Sequence, residues 1–255
     1  LAEISICSYS FHRLLYAGKQ DIFKYIEDCK ALGATQLDPW NGHLTEEVLS
    51  DLSAVKAAAD QAGLPFGCIA VDGAHIYEEN EEDRIRNREN AYRWIDVARQ
   101  LGASQIRIDS GGPEDLPDDV FDIIVEGYQD VIKRASEVGI EVLVENHWGP
   151  TKHPQHVVKL MEALPELGLL LDSRNWTPGK QAEGWLSCAK YARLTHIKTS
   201  DFTEDGEELT QNIPAFVKLL QRNGYTGCWG IESVPRDGDE IEGARKAIEL
   251  IKRTV

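Results

Sequence analysis

The feature that most constrains this chain is an alternation that recurs eight times. A short apolar run ends in a polar or aromatic loop, an amphipathic segment follows, and a glycine often stops it. The runs at 4–8, 35–38, 64–71, 104–108, 140–145, 168–172, 193–198 and 228–232 are strand-like in length, and several alternate with period two. Between and after them, the spacing predicts helices over 21–32, 45–62, 81–101, 117–138, 153–164, 180–191, 213–223 and 239–252. The third of these carries Ala91, Trp94, Ile95, Ala98 and Leu101 on one stripe. Helix ends read Leu32-Gly33, Ala62-Gly63, Leu101-Gly102, Val138-Gly139 and Asn223-Gly224. Eight strand–helix units predict an α/β chain folded as a single (β/α)8 TIM barrel, one domain over residues 1–255. An open doubly wound sheet is the alternative, but the first turn lacks GxGxxG.

Charge narrows the partners. A net charge of −16 argues against nucleic acid, which demands a basic footprint, and against an anionic membrane surface. No apolar run is long enough to cross a bilayer. The five cysteines are scattered, with no CxxC pair, which points to reduced thiols and a cytoplasmic location. The sequence begins at Leu1 rather than Met, so a trimmed leader is compatible with it. The charge does not exclude a small neutral substrate or a divalent cation, and a homo-oligomer is left open.

In such a barrel the chemistry gathers at the C-terminal strand ends. The fifth strand runs into Glu145-Asn146-His147-Trp148. The sixth ends at Asp172, with Asn175 and Trp176 beyond. The seventh places His196 and Lys198 on one face, and the eighth ends at Glu232. Each acid alone reads as a salt-bridge partner, and a lone His as a core residue. Three carboxylates converging with an imidazole would repel strongly unless a cation neutralised them. The donor set, three oxygens and one nitrogen, suits one divalent ion among manganese, cobalt, magnesium, iron and zinc.

On Val144-Glu145-Asn146-His147, Leu171-Asp172, His196-Ile197-Lys198 and Ile231-Glu232 the sequence resembles the sugar phosphate isomerase/epimerase superfamily, the xylose isomerase-like barrels. It is similar there to ketose 3-epimerases, a resemblance that implies a small sugar or polyol as partner, and the strand–helix order matches over essentially the whole chain. The resemblance implies Glu145, Asp172, His196 and Glu232 as metal ligands, with manganese first and cobalt, magnesium or zinc as alternatives. It also implies Glu145 and Glu232 as the acid/base pair of an isomerase or epimerase working through an enediolate. Two departures stand out. Asn175 replaces a substrate-facing His found in many relatives, and Trp148 stands where many relatives have glycine.

Further substrate contacts are expected from the rim. His147 and Lys198 would hold hydroxyl oxygens or brace the carboxylates. Trp40 and Trp148 offer aromatic walls for a sugar's CH face, and His75 and Asn175 complete the set. Arg107 and Asp109 read as a structural pair on the fourth strand. The loops after the last two strands, residues 199–205 and 233–237, are mostly acidic, so the expected sugar is unphosphorylated. A lyase using the same enolisation is an alternative, and so is a non-catalytic binding barrel. A metal-dependent endonuclease of the same superfamily is disfavoured by Asn175 and by the charge.

Overall fold

The computed structural model describes residues 2–255. Eight parallel strands lie in the order β2-β1-β8-β7-β6-β5-β4-β3. They are β1 (Ile4–Cys7), β2 (Gln36–Asp38), β3 (Cys68–Val71), β4 (Gln105–Ile108), β5 (Glu141–Glu145), β6 (Gly168–Asp172), β7 (Ala192–Thr199) and β8 (Trp229–Ser233). β2 and β3 meet through single bridges, Leu37 with Phe66 and Trp40 with Ala70, which brings the sheet round into a nearly closed barrel. The helices are α1 (His12–Tyr16), α2 (Ile22–Leu32), α3 (Glu46–Leu49), α4 (Leu52–Ala62), α5 (Glu81–Leu101), α6 (Asp118–Ser136), α7 (Pro154–Ala163), α8 (Gln181–Cys188), α9 (Ile213–Arg222) and α10 (Glu240–Thr254).

The fold is thus the (β/α)8 barrel expected from the alternation, with local differences that have local causes. The helix expected over 45–62 is broken in two. Asp51 caps a fresh start by accepting from the Ala54 N–H, so α4 begins at Leu52. The third strand is continuous from Cys68 rather than from residue 64; before it the chain holds to β2 only through the Leu37–Phe66 bridge, and Pro65 has no N–H to extend that pairing. The helix expected over 180–191 ends at Cys188 and finishes as a 3₁₀ turn over Ala189–Tyr191. Helix α1 arises in what reads from sequence as a loop. Gly33 and Gly102 end α2 and α5 at φ of 81° and 75°, a left-handed backbone that penalises other residues.

Period-two alternation divides the strands between two cores. Val142 and Val144 of β5 point outward into the large core between sheet and helices. Leu143, Leu170 and Leu194 point inward and meet Cys68 and Cys228 in a small core inside the barrel. Each buried Leu contributes about 1.5–3 kcal/mol relative to exposure. A step of two residues towards the C-terminal end then carries the next inward position into the mouth. Leu143 leads to Glu145, Leu170 to Asp172, Leu194 to His196, and Cys228 through Gly230 to Glu232. In β7 this parity depends on a bulge. Leu169 pairs with Ala192 but Leu170 with Leu194, so the extra residue, Arg193, sets which side chains face inward.

Candidate metal centre and active site

One atom from each of Glu145, Asp172, His196 and Glu232 lies within 4.8 Å of the others. All four side chains are buried. His196 Nδ1 stands 3.1 Å from Glu145 Oε1 and 2.9 Å from Glu232 Oε2. Asp172 Oδ1 accepts from the backbone N–H groups of Arg174 and Asn175, at 2.6 and 2.9 Å. Its Oδ2 makes no hydrogen bond, although Lys198 Nζ approaches to 3.1 Å. Such a donor set fits a divalent ion. Metal–ligand bonds of about 2.0–2.2 Å put two ligands of one ion at most about 4.4 Å apart, so only a small inward closure is needed.

Basic side chains flank the carboxylates on both sides. Lys198 Nζ lies 3.2 Å from Glu232 Oε1, and Arg107 Nε lies 3.1 Å from Glu145 Oε2. Burial opposes ionisation of these acids. Even so, Lys198 and His196 hold Glu232 well below the ordinary carboxylate range, and His196, His147 and Arg107 hold Glu145 below it. Asp172 moves the other way, pushed up by burial and by its carboxylate neighbours against the pull of Lys198. Burial opposes a charged His196 as well, but Glu145 keeps the ring protonated well above its usual range. A metal bound at that nitrogen would displace the proton.

Above the ligands opens a cavity of about 250 Å³, small beside the roughly 300–1,000 Å³ of drug-sized pockets and suited to one small polar ring. Glu145, His196, Lys198, Glu232 and His147 line it together with Trp40. Trp40 is fixed by its indole N–H donating to Asp72 Oδ2 at 2.7 Å. Tyr9 stands edge-on to that indole, with centroids 5.2 Å apart, and completes an aromatic wall. His147 Nδ1 meets Asp109 Oδ2 at 3.0 Å. Burial works against its charge, but Glu145 and Asp109 push its pKa up to about 9.

Other residues singled out from the sequence sit elsewhere. Trp148 and His75 face each other at 5.2 Å across a neighbouring pocket, and the Trp148 indole donates to Asp109. Asn175 lies behind the ligands, accepting from Lys198 Nζ at 2.9 Å and facing Glu145 Oε1 at 3.4 Å. Trp176 is buried against α8, where Gly184 leaves room for its ring. Arg107 is more than the structural partner of Asp109, because it also reaches Asp72 and Glu145 and lines the cavity. Sequence reasoning passed over Cys7 and Tyr9, which line the cavity too. The available signal was position: Cys7 is the last residue of β1, and Tyr9 follows in its end loop.

A family model described as xylose isomerase-like TIM barrel matches residues 26–254. The chain belongs to that family. No curated protein matches it. Among solved structures, an L-ribulose 3-epimerase superposes with a TM-score of 0.82 at 14% identity, over 100% of this chain and 94% of its own. A D-allulose 3-epimerase from Methylomonas sp. gives 0.78 at 16% identity, over 100% and 98%. A probable 3-DHS dehydratase from Bacillus anthracis gives 0.76 at 12%, over 98% of each chain. At these identities the likeness speaks for the fold.

Proposed function

We propose that this family member is a divalent-metal-dependent sugar epimerase or isomerase acting on an unphosphorylated ketose. The observation that carries the proposal is the placement of Glu145 and Glu232. Both reach the cavity, both flank His196, and each has its own cation, Arg107 or Lys198. Glu145, Asp172, His196 and Glu232 would hold the ion. The chemistry a divalent ion supplies there is polarisation of the substrate carbonyl and stabilisation of negative charge on its oxygen. One glutamate removes the proton on the carbon next to the carbonyl. The other returns a proton to the opposite face or to the neighbouring carbon. Lys198 and His147 present N–H groups to the sugar hydroxyls, and the Trp40–Tyr9 wall covers an apolar CH face.

The absence of a phosphate site in this reading rests on the rim. Arg236, in the loop after β8, is occupied by Asp201 at 3.0 Å, and Arg174 lies 3.7 Å from Glu208. Five free, buried cysteines suit a reducing compartment such as the cytoplasm. A lyase is the second reading. Lys198 and His147 could protonate an oxygen departing from the β-carbon, and the dehydratase fold neighbour keeps that chemistry in view.

The test is solvent deuterium exchange. Metal-loaded protein in D₂O is offered D-allulose, an inosose and a 3-keto-glycoside. The expected result is deuterium at the carbon next to the carbonyl with at least one of them, lost in Glu145→Gln and Glu232→Gln. Elimination instead of exchange would select the lyase. Neither process, with metal bound, would leave a binding barrel.

A further inference from the structure

Among the described residues, one thiol faces the proposed metal centre. Cys7 ends β1, two residues after Ser5, whose hydroxyl donates to Asp38 inside the barrel, so both side chains point inward. Cys7 is 2% exposed and lines the cavity. The other four cysteines do not line it. Cys68 and Cys228 lie one layer deeper with Leu143, Leu170 and Leu194, and Cys29 and Cys188 belong to the outer core. A buried thiol usually packs as a small apolar group. Cys7 instead faces polar groups, because its sulfur lies within 4.8 Å of a ring nitrogen of His196 and a carboxylate oxygen of Glu232. Two of the four proposed ligands, His196 and Glu232, therefore share a second cluster with sulfur, while Glu145 and Asp172 stand outside it, so the thiol meets the centre from the side of β7 and β8.

We propose that Cys7 is a fifth ligand of the metal centre, binding as thiolate, and that the ion it selects is thiophilic, cobalt or zinc rather than magnesium or manganese. The inference rests on the metal reading given above. The thiolate is the ligand form of cysteine, and sulfur favours zinc and other softer ions over magnesium. As the sulfur–metal bond forms, the S–H bond breaks and its proton leaves to solvent through the open cavity. Lys198 and Arg107, the cations that touch the carboxylates, offset part of the negative charge that a Cys7 thiolate would add beside Glu145, Asp172 and Glu232.

Cobalt(II) titration of the metal-stripped full chain, without oxygen, separates the outcomes. Visible d–d bands report that cobalt is bound. A near-ultraviolet sulfur-to-cobalt charge-transfer band reports the thiolate. The expected wild-type spectrum has both. In Cys7→Ser the charge-transfer band is lost while d–d bands remain, and zinc affinity falls about tenfold or more, with manganese affinity little changed. Bands of bound cobalt without charge transfer in the wild type would overturn the Cys7 assignment and leave the oxygen–nitrogen site standing. No cobalt bands at all would sink the metal reading and this one with it. The wild-type spectrum decides even if the variant fails to fold.

Discussion

His196 Nδ1 stands 2.9 Å from Glu232 Oε2, and the same nitrogen is 3.1 Å from Glu145 Oε1. One ring nitrogen thus hydrogen-bonds Glu145 and stands in ion-pair range of Glu232, carboxylates from β5 and β8. It lies between the two groups proposed to move protons, which Arg107 and Lys198 flank on the outer sides.

An ion at that nitrogen would tie four strands together directly. A ligand that binds only the folded state at a hundredfold excess over its Kd stabilises by about 2.7 kcal/mol, which for a chain of this size means a Tm rise of about 5–10 °C. Adding cobalt, zinc or manganese to EDTA-treated protein should produce that rise in a thermal melt. His196→Asn should remove most of it. An unchanged Tm across all three ions would count against the site.

Arg107 anchors the other flank. It is 4% exposed and reaches Asp109 at 2.9 Å, Asp72 at 3.0 Å and Glu145 at 3.1 Å. Removing one partner from a buried ion cluster costs about 3–5 kcal/mol, because the remaining charges stay desolvated. Arg107→Met should lower unfolding stability by that amount in urea. Arg107→Lys should lie between it and the wild type, since an ammonium keeps the charge but lacks the planar fork. A loss below about 1 kcal/mol in the Met variant would mean that the pairs are not formed in solution.

The parts of this architecture that could be read from the sequence are those fixed by period. The convergence of Glu145, Asp172, His196 and Glu232 was legible because each stands at an inward position near the C-terminal end of an apolar strand, and strand parity is a property of the sequence itself. Arg107 was only half legible. Its partner two residues on, Asp109, is local, whereas Glu145 is brought to it by β4–β5 pairing. Cys7 was only half legible for a different reason: its position at the end of β1 places it near the mouth, but its nearness to Glu232 waits on the pairing of β1 with β8. The break between α3 and α4 escaped because residues 45–62 keep a helical composition throughout, and only the Asp51 side chain shows where the chain restarts.

The aromatic wall makes a kinetic prediction. Trp40 borders the cavity, held by Asp72 and edged by Tyr9. Aromatic pairs are worth about 0.5–1.5 kcal/mol beyond area burial, and a ring against a sugar's CH face at the same scale gives about 3–10-fold. Trp40→Leu should raise KM by that factor and leave kcat within about twofold, because the indole touches no proposed proton path. A fall in kcat with KM unchanged would place Trp40 in the chemistry instead.

His43 supplies the pH dependence that is independent of the metal centre. Its ring is 1% exposed, beside Tyr25 and Trp40. Gln20 gives its amide N–H to Asp28, so its Oε1 is left to accept from His43 Nε2 at 3.1 Å. Nδ1 is therefore bare and accepts from the Ser8 hydroxyl at 3.0 Å. Burial lowers the His43 pKa from 6.5 to about 4, and the one acid acting on it, Asp21, only partly opposes the shift. A folded-state pKa below the unfolded value means that the unfolded chain binds more protons between these limits. The stabilisation is complete above pH 6.5 and is lost as pH falls towards 4, by about 3 kcal/mol. Urea unfolding of the wild type should weaken by about that much more than that of His43→Gln across the window. Parallel pH profiles for the two proteins would show that His43 titrates normally, and that the Ser8–His43–Gln20 chain does not persist in solution.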